Sequence, residues 1–316
     1  MTAVVRIRAG SAAPVVEDEI VEPPGAGEVQ LRQTAFGLDR CGLVPPAVGR
    51  GFVPGIAAAG QVETVGIGVQ GIRPGDRLAY ADLPGAWRAH RNVPAHRLVP
   101  IPDDIDDRTA AALIRRGLAV HYLLRRLRRV QPGEILLATG AAGSVGRLLS
   151  QWAAAIGAEV IGAVGSVEKA GIARANGCAR TVVAGSDDSA TQIREAVGEL
   201  GANVAYDALG GEIFARCLDC LAPTGMLIGF GDVAGSPPPL PLERLEAHSL
   251  ILARPTLNAW TADPDALIAA SEELFELVGA GKLRPGPVHT FPLAEAGDAV
   301  HALLDRRNAT YLALTD

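Results

Sequence analysis

Glu134-Ile-Leu-Leu-Ala-Thr139-Gly140-Ala-Ala-Gly143-Ser-Val-Gly146 is the stretch on which the fold turns. The run to Thr139 is apolar without alternation, the pattern of a strand buried on both faces. A glycine-rich turn follows, and then a helical pattern over about Ser144–Ile156. A dinucleotide fold needs these parts: backbone that can approach a pyrophosphate, amides at a helix N-terminus facing that charge, and tight helix–strand packing. Gly143 and Gly146 occupy the second and third glycine positions of G-x-G-x-x-G, with Ala141 at the first. The pattern is weak evidence alone and gains weight because it opens a strand–helix–strand unit.

C-terminal to this stretch, strand and helix keep alternating. The pattern predicts strand Glu159–Val164, helix Val167–Asn176, strand Arg180–Ala184, helix Ser189–Leu200 and strand Asn203–Ala208. Helix Glu212–Leu221 and strands Met226–Phe230 and Leu250–Ala253 complete it. Such regular alternation means a parallel sheet with helices on both faces. After about residue 258 it lapses: helix Pro264–Gly279 and segment Val288–Phe291 are expected to return to the first domain.

N-terminal to it, residues 1 to about 100 read as short strands: Val4–Arg8, Val15–Ile20, Glu28–Phe36, Ala58–Val65 and Arg77–Tyr80. Turns such as Pro23-Pro-Gly25 and Gly71-Ile-Arg-Pro-Gly-Asp76 separate them, as in a partly open β-barrel.

With 316 residues the chain has room for two domains and a sizeable core. Its net charge of −6 argues against a nucleic-acid or membrane-surface binder, which needs a basic face. The local exception is Arg115, Arg116, Arg125, Arg126, Arg128 and Arg129, late in a helix that opens with Asp103, Asp104, Asp106 and Asp107. Acid at the start and base at the end suit the helix macrodipole, so these arginines read as a solvated helix face. Only four cysteines occur, and Cys217 and Cys220 read as buried small hydrophobes on one helix face rather than a redox or metal pair. The opening residues read as a strand rather than a secretory signal, and no run of apolar residues is long enough to span a bilayer. A soluble protein of the reducing cytoplasm is expected.

The residues after the second strand select the cofactor. A NAD site places an acid there for the ribose 2′-hydroxyl, whereas Gly162-Ala-Val-Gly-Ser166 contains none. Ser166, Lys169 and Arg174 are candidates to meet a 2′-phosphate, which points to NADPH over NADH. The competing reading of Lys169 is an exposed residue in the first turn of a helix.

Taken together, these motifs resemble the zinc-independent quinone oxidoreductase and enoyl reductase branch of the medium-chain dehydrogenase/reductase superfamily, which includes ζ-crystallin. The resemblance rests on Gly71-Ile-Arg-Pro-Gly-Asp-Arg77, Gly117-Leu-Ala-Val-His-Tyr-Leu-Leu124, Gly140 to Gly146, Ser150-Gln-Trp-Ala153 and Gly165-Ser-Val-Glu-Lys169. It continues through Tyr206-Asp-Ala-Leu-Gly-Gly211, Cys217-Leu-Asp-Cys-Leu221, Gly229-Phe-Gly231 and Arg254-Pro-Thr-Leu257, covering nearly the whole chain.

The resemblance implies an α/β protein with a GroES-like β-barrel substrate domain, residues 1–120 and 259–316. An inserted doubly wound Rossmann domain, residues 121–258, would bind NADPH, and the assembly would be a homodimer. It places Gly140, Gly143, Ser144, Val145, Gly146, Ser166, Lys169, Phe230 and Gly231 where relatives hold NADPH. Zinc-dependent cousins carry a catalytic Cys and His at positions that look like Asp39 and Ile56 here, so no metal is expected.

The substrate half departs from the family. The usual Gly-x-Asn-x-x-Asp and following Tyr are replaced in Gly37-Leu-Asp39-Arg40-Cys41-Gly42-Leu43-Val44, so Asn becomes Asp39 and Tyr becomes Val44. The family's Gly-x-Glu has Ala57 for Glu, a cofactor-packing Tyr is Ala184, and the C-terminal Gly-Lys looks like Thr310-Tyr311. Asp39, Arg40, His121 and Tyr122 are the catalytic candidates, with Val44 and Trp260 in the substrate pocket. Against them stand a loop-capping Asp39, a surface or Asp39-paired Arg40 and a packed helix His121.

The expected activity is metal-free, NADPH-dependent hydride transfer to a quinone or α,β-unsaturated carbonyl, with a specialised biosynthetic enoyl reductase included. The lost Asn and Tyr keep two alternatives open: a non-redox cyclase or isomerase on the same scaffold, and an NADPH-sensing binding protein.

Overall fold

The computed structural model describes residues 1–11, 13–45, 51–184, 189–257, 261–305 and 311–315. The chain divides into two units, Met1–Ala119 with Leu257–Gly281 and Pro285–Asp316, and Val120–Thr256 with Lys282–Arg284. Strands β1 (Thr2–Ile7), β2 (Pro14–Glu19), β3 (Glu28–Gly37), β4 (Ala58–Val65), β5 (Arg77–Tyr80), β6 (His90–Pro94) and β7 (Val99–Pro100) lead to helix α1 (Asp107–His121). Next come β8 (Ile135–Thr139), α2 (Ser144–Ile156), β9 (Glu159–Val164), α3 (Val167–Ala175), β10 (Cys178–Val183) and α4 (Ser189–Val197). They are followed by β11 (Ala202–Asp207), α5 (Gly211–Leu218), β12 (Leu221–Gly229), α6 (Glu243–Glu246) and β13 (Ile251–Ala253). The chain closes with α7 (Pro264–Gly279), β14 (Val288–Pro292), α8 (Ala296–Leu304) and β15 (Tyr311–Thr315).

In the first unit, β1 and β2 form a two-stranded sheet. A larger sheet runs β14-β15-β3-β4-β5-β7, with β6 also paired to β3. The C-terminal segment therefore does return, because β15 pairs antiparallel with the end of β3. The strands β6 and β7 escape a sequence reading: His90-Arg-Asn-Val-Pro94 has no apolar alternation, and Val99–Pro100 is two residues long. The core gathers Phe36, Leu38, Tyr80 and Trp87, all fully buried. Trp87 donates its indole N–H to the Gly37 carbonyl at 3.2 Å. Gly55 lies against the same ring at φ +81°, so a side chain there would collide with the indole.

The second unit is built on one parallel sheet of order β10-β9-β8-β11-β12-β13. Helices cover it as the alternation predicts, and Leu137, Ile161, Phe214 and Leu227 lie in its core. Strand β12 begins at Leu221 rather than Met226. Pro223 and Gly225 read as turn signals in the sequence, and the strand accommodates them by a register shift against β11 and a Thr224 φ of +64°.

Helix α1 also departs from the sequence reading. It passes at His121 into a π-helical turn, Tyr122–Leu127, so Arg128 and Arg129 lie beyond it. Arg116 is not on a solvated face: it is 3% exposed. Among the described residues no helix is long and apolar enough to cross a membrane.

Candidate functional site

All strands of the second unit's sheet run parallel, so their carboxyl ends share one edge. The order reverses between β8 and β11, and a crevice at such a reversal is where open α/β sheets bind ligands. The glycine turn sits at this point. Gly140 adopts φ +63°, and Gly143 precedes α2 with its N–H donating to the Gly140 carbonyl at 2.8 Å. Ser144, Val145 and Gly146 form the first turn of α2. A Cβ on Gly146 would fall on the Gly140 carbonyl oxygen and the Ala141 backbone. This is the close helix–strand approach that the third glycine of the fingerprint provides.

A buried polar clasp joins the carboxyl ends of β8 and β11. Thr139 Oγ1 donates to Asp207 Oδ1 at 2.5 Å and accepts from the Ala208 N–H at 2.9 Å. Asp207 also accepts the N–H groups of Leu209 at 3.1 Å and Gly210 at 2.9 Å. Burial pushes the Asp207 carboxyl above the usual range, against the pull of Thr139, the Gly210 and Leu209 amides, and Arg254. The sequence reading missed this clasp; its signal was the one polar side chain ending the apolar run, Thr139, and the acid in Tyr206-Asp207.

The other expected cofactor residues stand on the same edge. Phe230 follows β12 and donates its N–H to the Asp207 carbonyl at 2.9 Å. Gly231 lies so close to the Ala208 carbonyl that only a glycine fits. Ser166 caps α3, its Oγ accepting the Lys169 N–H at 3.2 Å, and Lys169 is half-buried in that first turn. Arg174 donates instead to Thr181 Oγ1 on β10 at 2.6 Å. A glycine cradle free of side chains, a helix N-terminus at its end, and a hydroxyl and an ammonium in place of an acid fit a phosphorylated dinucleotide.

In the first unit the residues after β3 are held by α1. Asp39 is buried, and its Oδ1 lies 3.0 Å from Arg116 Nη2. The same Arg116 nitrogen donates to the Leu38 carbonyl at 2.7 Å, and Nη1 donates to that of Ala112. Arg40 is exposed and points elsewhere, its Nη2 3.4 Å from the carbonyls of Leu303 and Leu304. Asp39 is therefore paired, and its partner is Arg116 rather than Arg40.

A second pair lies beside the first, Asp82 Oδ1 accepting from Arg115 Nε at 3.1 Å. Asp82 has φ +56°, a left-handed conformation that strains a non-glycine residue. Burial raises its pKa, with Arg115 and Arg97 opposing and Asp39 adding to the rise. Cys41 is at the surface, yet the protein around it, with Asp39 and Asp82, pushes its thiol up to about 11 against Arg115. The family's Tyr position, Val44, is 67% exposed, and Trp260 and Thr310 lie outside the described residues.

His121 belongs to the second unit, buried and packed edge-on against Trp152 with ring centroids 5.8 Å apart. Tyr122, half-buried, opens the π-helical turn. The structure thus gathers the nine cofactor candidates on one sheet edge, while the four catalytic candidates fall in two different units. Ile56 is buried in the first unit. Among the described residues, no three His, Cys, Asp or Glu side chains are grouped to hold a metal ion.

Residues 144–269 match the family described as zinc-binding dehydrogenase. Over 293 residues the chain is 38% identical to a quinone oxidoreductase of Pseudomonas aeruginosa, covering 90% of each chain. It is 37% identical to a 2-haloacrylate reductase of a Burkholderia species, over 95% of this chain and 94% of the relative. The quinone oxidoreductase of Escherichia coli, solved in complex with NADPH, superposes with a TM-score of 0.92 at 31% identity, over the full length of both chains. A glycine turn at the β8–β11 crossing and likeness over nearly the whole length agree: this chain belongs to the zinc-independent, ζ-crystallin-like quinone oxidoreductase branch of the medium-chain dehydrogenase/reductase superfamily.

Proposed function

We propose that the protein is an NADPH-dependent reductase of conjugated carbonyl compounds, a quinone or an α,β-unsaturated carbonyl. The observation that carries this reading is the Gly140–Gly146 turn at the β8–β11 crossing, with Ser166 and Lys169 where an NAD enzyme has an acid. The relatives' names support it, one acting on quinones and one on 2-haloacrylate.

NADPH, when bound, would supply a hydride for the electron-poor carbon of the substrate, a proton joining the neighbouring atom. The protein binds and orients. The turn of Gly140, Gly143, Ser144, Val145 and Gly146 would receive the pyrophosphate, since its amides face the anion and its glycines leave room. Ser166 and Lys169 would hold the 2′-phosphate, and Phe230 and Gly231 would line the cofactor from the next strand end. Asp39, held by Arg116, is a positioning group rather than a proton carrier. Arg40, His121 and Tyr122 remain candidates to polarise or protonate the substrate. The assembly we propose is a homodimer through the free edge of β13, where Ile251 and Leu252 are exposed.

Fluorescence titration with NADPH and NADH in parallel, followed by turnover of a quinone and enone panel, tests this. Micromolar NADPH binding, weaker NADH binding and oxidation of NADPH by a panel member are expected. Equal affinity for both cofactors, unchanged in Lys169→Ala, rules out the 2′-phosphate assignment. Cofactor binding without turnover of any conjugated carbonyl rules out the reductase.

A further inference from the structure

Two strand ends and one helix build a charged cluster inside the first unit. β3 and β5 both pair antiparallel with β4, so they run the same way and leave the sheet at the same end. Asp39 stands two residues past the end of β3 and Asp82 two past the end of β5. Helix α1 brings Arg115 and Arg116 to them, Arg115 Nε at 3.1 Å from Asp82 and Arg116 Nη2 at 3.0 Å from Asp39. Arg97 joins them, donating to the Ala81 carbonyl at 3.2 Å and close enough to Asp82 to influence its charge.

The count of charges is not balanced. Arg97, Arg115 and Arg116 bring three positive charges against two negative ones, Asp39 and Asp82, leaving one positive charge in excess. The network is also unfinished among the described residues. Asp39 Oδ2, Asp82 Oδ2 and Arg97 Nε are buried without a hydrogen-bond partner. Left so, they cost stability, and stability alone does not explain them.

Arg115 is the member that faces outward. Its side chain keeps 22% of its exposure, whereas Asp82 behind it keeps 2%. Only its Nε is engaged by the protein, so among the described residues both terminal nitrogens have no protein acceptor. A guanidinium fixed from behind with its fork open matches a carboxylate, which takes two parallel N–H bonds. The strained backbone of Asp82 fits the same purpose, since it holds the anchoring carboxylate in place rather than in a relaxed turn.

We propose that Arg115, pinned by Asp82 and backed by Arg97 and Arg116, is the carboxylate anchor of the first unit, and that the substrate is a free 2-enoate, an α,β-unsaturated carboxylic acid. The inference rests on the reductase reading for its chemistry and on the arginine cluster for its substrate class. The carboxylate is bound and unchanged; the carbon–carbon double bond takes the hydride and the proton.

The test compares crotonate with methyl crotonate on the full chain. With NADP⁺ bound, so that nothing turns over, isothermal titration reads the affinity for each; with NADPH, kcat/KM is read for each. Crotonate is expected to bind at least tenfold more tightly than its ester, and Arg115→Met to bring that ratio to about one, with Arg115→Lys in between. Equal affinity of the native protein for acid and ester overturns the anchor, as does an acid-to-ester ratio that Arg115→Met leaves unchanged. If Arg115→Met fails to fold, the native ratio and its fall with added salt decide. Arg115-dependent crotonate binding with no turnover of acid, ester or quinone keeps the anchor and removes the reductase reading. Turnover of ester and quinone without acid preference does the reverse.

Discussion

Arg116 Nη2 lies 3.0 Å from Asp39 Oδ1, both side chains almost wholly out of water, which ties the loop after β3 to the middle of α1. A buried pair contributes little net stability while whole, because desolvation offsets the attraction, but removing one partner strands a charge. Arg116→Met should therefore lower stability by about 3–5 kcal/mol, read by urea unfolding. Asp39→Asn keeps an acceptor for Arg116 but leaves its buried charge without a counter-charge, so a comparable loss is expected. A negligible loss for either variant would show that the pair does not hold the loop to α1.

Gly146 has no room for a side chain, since the Gly140 carbonyl occupies the place a Cβ would take. Gly146→Ala should push α2 off the turn, costing about 1–3 kcal/mol of stability and weakening NADPH binding at least tenfold. Gly143→Ala is the milder neighbour, since its Cβ would stand 3.1 Å from the same oxygen. Fluorescence titration of both variants, alongside unfolding curves, checks the ranking.

Asp207 gives a pH signature. Burial raises its pKa in the folded protein, so the folded state holds that proton more tightly than the unfolded one. Stability from this group is present below the unfolded carboxylate pKa and is lost as pH rises from there through the raised folded value. Asp207→Asn should remove that fall, so the stability difference between native and variant proteins should change with pH across this window and level off above it. It should also loosen the clasp, because the Asn amide cannot accept from Thr139, Leu209 and Gly210 together. Urea midpoints from pH 4 to pH 7 for both proteins give the comparison, and a pH-independent difference would show that Asp207 does not titrate as described.

Cys41 is exposed but should be a slow thiol. With its pKa pushed up to about 11 from 9.0, its thiolate fraction near pH 8 falls roughly a hundredfold. Iodoacetamide should label it far more slowly than a free cysteine, by mass spectrometry. Replacing Asp82 with Asn should quicken the labelling, because Asp82 helps to raise that pKa.

Ile251→Asp on the free edge of β13 should turn the proposed dimer into a monomer, read as a halved mass in light scattering. A native protein that already runs as a monomer would exclude this assembly.

The sequence by itself determined the second unit. Ile135 to Gly146 reads as a buried strand, a glycine turn and a helix because that pattern is local: apolar runs, glycine spacing and helix period lie within a dozen residues. The missing acid at Gly162–Ser166 was legible for the same reason. What only the tertiary structure decided is who meets whom across the chain. Arg115 and Arg116 carry the composition of a solvated helix face, and an arginine is ordinarily exposed, so sequence placed them outside. Arg116 is buried and Arg115 is drawn onto Asp82 because β3 and β5 release Asp39 and Asp82 at the end of the sheet where α1 meets them, and a buried charge is tolerated where a partner waits for it. Residues 33 positions apart, such as Asp82 and Arg115, share no local pattern from which that meeting can be read; it exists only once the strands have paired.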